Sequence, residues 1–222
     1  MAKLYFRYGA MNSGKSTALL QAAYNYAERG QQVLLAKPGI DAKGDRSIVS
    51  RLGVVRPVDF LIDPQDDVLE LFFSHRARVL AGTGSPVACL LIDEAQFLTP
   101  QQVDDVFRVA VVQDVPVLAY GIRTDFRTEA FPGSRRLMEL AHSLEELKTI
   151  CRCGRKALFN ARRIGDRFVF DGAQVAIDTV GDVTYESLCG ECYLAESGGV
   201  LDGENPVAGG FSYSSAPDAD FA

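Results

Sequence analysis

The octapeptide Gly9-Ala10-Met11-Asn12-Ser13-Gly14-Lys15-Ser16 constrains this chain most, because G-x-x-x-x-G-K-[ST] requires a strand before it and a helix after it. Both flanks are legible. Lys3–Tyr8 reads as a short aromatic strand, and Thr17–Glu28 is a run of good helix formers closed by Gly30. Gln32–Ala36 adds a second apolar strand, so the chain opens as a βαβ unit. The glycines let successive N–H groups turn inward on phosphate oxygens, and the helix start adds its partial positive charge. In that geometry Lys15 reaches the β/γ-phosphates and the Ser16 hydroxyl ligates Mg²⁺. The motif points to a nucleoside triphosphate and leaves the phosphate acceptor open.

Val87–Ile92 is an unbroken apolar run, as expected for a strand buried on both faces of a parallel sheet. It delivers Asp93 and Glu94 to the carboxyl edge, where open α/β sheets bind ligands. Asp93 suits a Mg²⁺-associated role, and Glu94 a base acting on water or on a substrate alcohol. Residue types alone leave NTPase and kinase open. Met11 and Phe97 flank the two halves of this site and are placed to touch a flat ligand. Asp66–Val79 and Thr99–Val112 carry helical periodicity, Val115–Tyr120 reads as a strand, and Pro38–Gly53 and Gly121–Arg135 read as loops. The alternation predicts an α/β, P-loop NTPase-like, mostly parallel sheet flanked by helices, with residues 1–150 as the ATP-binding domain.

Four of the five cysteines fall in Cys151-Arg152-Cys153-Gly154 and Cys189-Gly190-Glu191-Cys192. Two close-set pairs are what a tetrahedral structural Zn²⁺ site in a ribbon requires, and four thiolates leave no position open for chemistry. Residues 151–195 are therefore expected to form a small zinc-ribbon module. Residues 196–222, rich in Gly, Ser, Asp and Ala, are expected to be a disordered tail. Cys89, inside an apolar run, reads as a packing residue. His75 and His142 lack partners at metal spacing and read as surface or helix residues.

The 222 residues carry 23 Lys+Arg against 29 Asp+Glu, a formal charge of −6, which disfavours a non-specific hold on nucleic acid or an anionic membrane. No apolar run nears the roughly 18–20 residues of a membrane span. The charged start, Lys3 and Arg7, is unlike a signal peptide, so a cytoplasmic location with reduced thiols is expected. A zinc-ribbon P-loop ATPase acting on nucleic acid is the alternative reading. It lacks a Lys/Arg stripe interleaved with aromatics.

The ordered motifs GxMxSGKST, IDEAQF, YGxRTDF and CxCG…YxSxCxxC, across residues 3–195, resemble the type II thymidine kinases, the zinc-bearing cellular and bacterial group. That resemblance implies transfer of the γ-phosphoryl of ATP to the 5′-hydroxyl of thymidine with Mg²⁺. It implies Glu94 as proton acceptor and Asp93 as the Mg²⁺-associated acid, with Ala95 and Gln96 completing the nucleotide-side stretch. Gln96, Phe97 and Met11 match positions near the nucleoside, and Ile122 and Phe126 match apolar contacts to the base. Val175, Ile177 and Tyr185 match the lasso that closes over thymine. A homotetramer and, in some members, inhibition by thymidine triphosphate are also implied, with neither nucleic acid nor membrane as partner. Three features depart from the pattern: Lys43 stands where many members have arginine, Asp178–Thr184 makes the lasso about two residues longer, and Cys192 replaces the histidine of some bacterial relatives.

Overall fold

The computed structural model describes residues 1–40, 46–172, 174, 183–199 and 201. β1 (Leu4–Tyr8) leads into the glycine-rich turn, α1 (Lys15–Glu28) follows, and β2 (Gln32–Pro38) completes the expected βαβ unit. A hairpin of β3 (Ser47–Val49) and β4 (Val55–Pro57) comes next, its first strand inside the stretch Pro38–Gly53 that reads as loop. Ile48 is the one fully buried apolar residue of that hairpin, against the α1 side of the sheet, and one apolar anchor gives too short a period to read.

The remaining elements alternate: β5 (Phe60–Ile62), α2 (Val68–Thr83), β6 (Val87–Ile92), α3 (Pro100–Val111), β7 (Val117–Gly121), α4 (Pro132–Leu140) and β8 (Ser143–Glu146). Six strands make one sheet in the order β5-β2-β6-β7-β1-β8, with every neighbouring pair parallel. Burial on both faces explains the continuous apolar runs. Leu34, Leu90, Ile92 and Val117 share one core with residues of α2, α3 and α4, while Leu35, Leu91 and Leu118 share the other with α1.

Local chemistry sets the helix starts. Asp67 caps α2 by accepting from Glu70 N at 3.0 Å. Thr99 and Gln102 form a reciprocal capping box ahead of Pro100, which occupies the first helical position of α3. The helix α4 begins within the predicted loop Gly121–Arg135. Its fully buried residues are Gly133, Ser134 and Leu137, with Met138 and Leu140 partly buried on the core, so the part inside the predicted loop shows no apolar stripe. A Cβ on Gly133 would lie 2.5 Å from the Leu98 carbonyl oxygen, which is why the helix can approach that turn so closely.

Past the sheet the chain changes character. β9 (Thr149–Ile150) pairs antiparallel with β10 (Lys156–Ala157), and β11 (Phe159–Ile164) sits between β12 (Arg167–Val169) and β13 (Val183–Leu188), again antiparallel. α5 (Gly190–Ser197) closes the module, so the expected boundary at residue 196 falls in its last turn. Among the described residues the fully buried apolar set here is Ala157, Ala161, Leu188 and Tyr193 beside Cys151 and Cys189, with Phe159, Phe168 and Phe170 packed partly buried against it. Of the described helices, none is long and apolar enough to cross a bilayer.

Candidate functional site

Gly14, with φ of 79°, holds the left-handed conformation that lets α1 start at Lys15. Lys15 is buried and its ammonium donates to Ala10 O at 3.0 Å, keeping the cation inside the turn. Two strands away, Asp93 N donates to Ala36 O at 3.0 Å and extends the β2–β6 ladder by one residue. The Asp93 side chain is 4% exposed, and its Oδ1 has no hydrogen-bond partner. Burial first, and the Glu94 charge second, push its carboxyl up to about 7, while the Ser16 hydroxyl and Lys15 oppose the shift. A carboxylate oxygen left bare beside a hydroxyl is a hard-oxygen set that fits Mg²⁺.

Glu94 occupies left-handed space, at φ 48° and ψ 39°. A non-glycine residue there carries strain of about 1–3 kcal/mol, and such strain clusters at functional positions. The bend lets the short 3₁₀ turn Ala95–Phe97 fold back over the sheet edge. Gln96 Nε2 then donates to Glu94 Oε2 at 2.7 Å, and Gln96 Oε1 accepts from Ile122 N at 3.2 Å. One buried amide thus aims the Glu94 carboxylate and ties it to the end of β7.

Beyond Ile122 the loop locks itself. Asp125, buried, accepts from Arg127 N at 2.8 Å and from Glu129 N at 2.9 Å. Phe97 meets Phe131 edge to face at 5.5 Å. Gly9–Ser16, Asp93, Glu94, Ala95 and Gln96 therefore lie along one carboxyl edge, with Phe97, Ile122 and Phe126 on the loops above it. Met11 is half-buried, and Tyr185 lies on β13 opposite Arg162. Val175, Ile177, Lys43 and most of Asp178–Thr184 lie outside the described residues.

Two residues that sequence reading missed hold Phe126. The Arg162 guanidinium sits 3.9 Å from its ring centroid, and the Tyr193 hydroxyl donates to its carbonyl at 2.6 Å. Their only sequence signal is an arginine in the short β-type run Phe159–Ile164 and a tyrosine after the last cysteine.

The four sulfurs of Cys151, Cys153, Cys189 and Cys192 all lie within 4.8 Å of one another, with Cys153 and Cys189 at 3.5 Å. Tetrahedral Zn–S bonds of about 2.3 Å need edges of just under 4 Å, so the cage fits Zn²⁺. Cys151 N donates to Arg155 O and Gly154 N to Cys151 O, closing the first knuckle, while Cys189 caps α5 with its sulfur accepting from Cys192 N. Burial and then the neighbouring sulfurs push the Cys192 thiol up to about 12. A dication among the four would reverse that by favouring thiolates.

A family profile described as thymidine kinase matches residues 2–193. A thymidine kinase of Ruegeria pomeroyi is 50% identical over 191 residues, covering 85% of this chain and 92% of the relative. One from Chromobacterium violaceum is 44% identical over 195 residues, covering 87% and 98%. One from Enterobacteria phage T4 is 42% identical over 191 residues, covering 85% and 94%.

Proposed function

The chain belongs to the thymidine kinase family, and from that premise we propose a role for each group at the sheet's carboxyl edge. The enzyme transfers the γ-phosphoryl of ATP to the 5′-hydroxyl of thymidine, giving dTMP and ADP. The N–H groups of Gly9–Ser16 and the start of α1 hold the triphosphate. Lys15 swings from Ala10 O to the β/γ-oxygens. Ser16 and Asp93 would hold Mg²⁺, which supplies charge neutralisation on the transferred group.

Glu94 takes the proton of the 5′-hydroxyl as that oxygen bonds to the γ-phosphorus and the bond to the β–γ bridging oxygen breaks. Gln96 keeps the carboxylate aimed, because its amide N–H holds one carboxylate oxygen and leaves the other for the substrate. Phe97, Ile122 and Phe126, with Met11, give an apolar seat for the base. Tyr185 and the lasso residues Val175 and Ile177 close over it, excluding water during transfer. The zinc knuckles anchor both ends of that lasso. Reduced thiols and an ATP supply suit a cytoplasmic enzyme, and a homotetramer is the assembly we expect.

The observation that carries this reading is the Gln96-held carboxylate of Glu94 on the same sheet edge as the phosphate turn. Incubation with γ-labelled ATP, Mg²⁺ and thymidine should yield labelled dTMP. A wild-type protein that turned over ATP equally without thymidine, or only with single-stranded DNA, would overturn it.

A further inference from the structure

Met11, inside the phosphate turn, is held by two side chains that come from outside the sheet. Its N–H donates to Asn160 Oδ1 at 2.7 Å, and its carbonyl accepts from the Ser187 hydroxyl. Asn160 and Ser187 are direct partners across the antiparallel β11–β13 ladder, and both are buried. Direct cross-strand partners present side chains roughly 4.5–5.5 Å apart on one face, a span that matches the two polar groups of a single residue. The other end of the Asn160 amide donates to Thr124 O at 2.9 Å, in the loop that carries Ile122 and Phe126.

We infer that Asn160 and Ser187 form a clamp through which the zinc ribbon fixes the shape of the phosphate turn and links it to the nucleobase loop. The inference rests on reading Gly9–Ser16 as the ATP site. The Met11 N–H belongs to the peptide before its Cα and the Met11 C=O to the peptide after it, so engaging both holds two successive peptide planes and sets the turn from one end. The next residue, Asn12, sits at φ 68°, a left-handed conformation that costs a non-glycine residue strain and that such an anchor helps hold. Ser187 stands two residues before Cys189, so order imposed by the metal reaches the turn through one strand end. Asn160 and Ser187 are positioning residues here, since neither reaches the reacting atoms.

The two ends of Asn160 separate the effects. S187A and N160L remove contacts to Met11, leaving a buried carbonyl or N–H unpaired. Each should weaken Mg·ATP binding about tenfold, read by calorimetry without thymidine, while zinc content stays at the wild-type level. S187T, which restores the hydroxyl, should recover affinity. N160D keeps an acceptor for Met11 N but loses the donor to Thr124 O, so it should raise KM for thymidine and leave ATP affinity near wild type. The clamp is overturned if S187A and N160L bind ATP as wild type does, or if every variant loses zinc and both affinities together. Calorimetry keeps the two readings apart: a wild type that binds ATP but leaves thymidine untouched would sink the proposed function and still test the clamp.

Discussion

In the sheet half, Phe6, Leu34, Leu90 and Val117 lie buried beneath three helices; in the ribbon half, among the described residues, Ala157, Ala161, Leu188 and Tyr193 are buried beside the cysteines, with Phe159, Phe168 and Phe170 partly buried against them. The first can stand on burial of apolar area, at roughly 1.5–3 kcal/mol for each large side chain. The second buries a smaller set among the described residues, and we assign the rest of its hold to a metal cross-link through the four cysteines. Lys15, Asp93 and Glu94, to which we assign phosphoryl transfer, belong to the first half, and the contacts that steady Phe126 and Met11 come from the half that carries the cysteine cage. A rigid base for phosphoryl transfer is thereby joined to a module whose order can be withdrawn.

Removing zinc should break the comparison open most forcefully. Structural zinc supplies on the order of 10 kcal/mol to small domains, so a strong chelator should release β11–β13 and α5 while the parallel sheet stays folded. Amide hydrogen exchange resolves this: fast exchange in Phe159–Ile164 with continued protection in β1, β2, β6 and β7. Simultaneous loss in both would mean the halves are one cooperative unit. Next in size, E94Q should lower kcat by about 10²–10⁴ while ATP affinity and melting temperature stay near wild type, since only proton removal is lost. Steady-state kinetics beside calorimetry decides it. A smaller effect belongs to the seam. Y193F strands the Phe126 carbonyl and should cost about 1–3 kcal/mol in denaturant unfolding, with a raised KM for thymidine.

The smallest effect concerns Asp93, whose folded value of about 7 lies above its ordinary 3.8. A raised acid favours folding below the ordinary value, and that contribution is lost as pH rises through about 7. In protein freed of nucleotide and divalent ions, D93N should therefore melt a few degrees above wild type at pH 8, the gap closing towards pH 4. Thermal scans across that window check the sign, and an unchanged gap would mean that the carboxylate is solvated after all.

The same division governs what could be read in advance. Strands buried on both faces announce themselves as apolar runs, so β1, β2, β6 and β7 were legible, and the glycine turn and Asp93-Glu94 came with them. The cysteine spacing gave the cage. The hairpin at Ile48 and the helix at Gly133 were not legible, because one is anchored by a single side chain and the other packs through small residues. Arg162 and Asn160 were invisible for another reason: their roles arise from contacts that only the folded ribbon creates, and nothing in their local sequence distinguishes them from ordinary surface positions on short strands. Ser187 showed only as the serine of the YxSxCxxC pattern, with no role attached, because its contact too exists only in the folded ribbon.

The left-handed bend at Glu94 has an evolutionary corollary. Glycine would relax that backbone at once, and asparagine nearly as well, so the glutamate persists only while its carboxylate is in demand. In a descendant that kept the scaffold but abandoned phosphorylation, position 94 is where drift should first find a more comfortable residue.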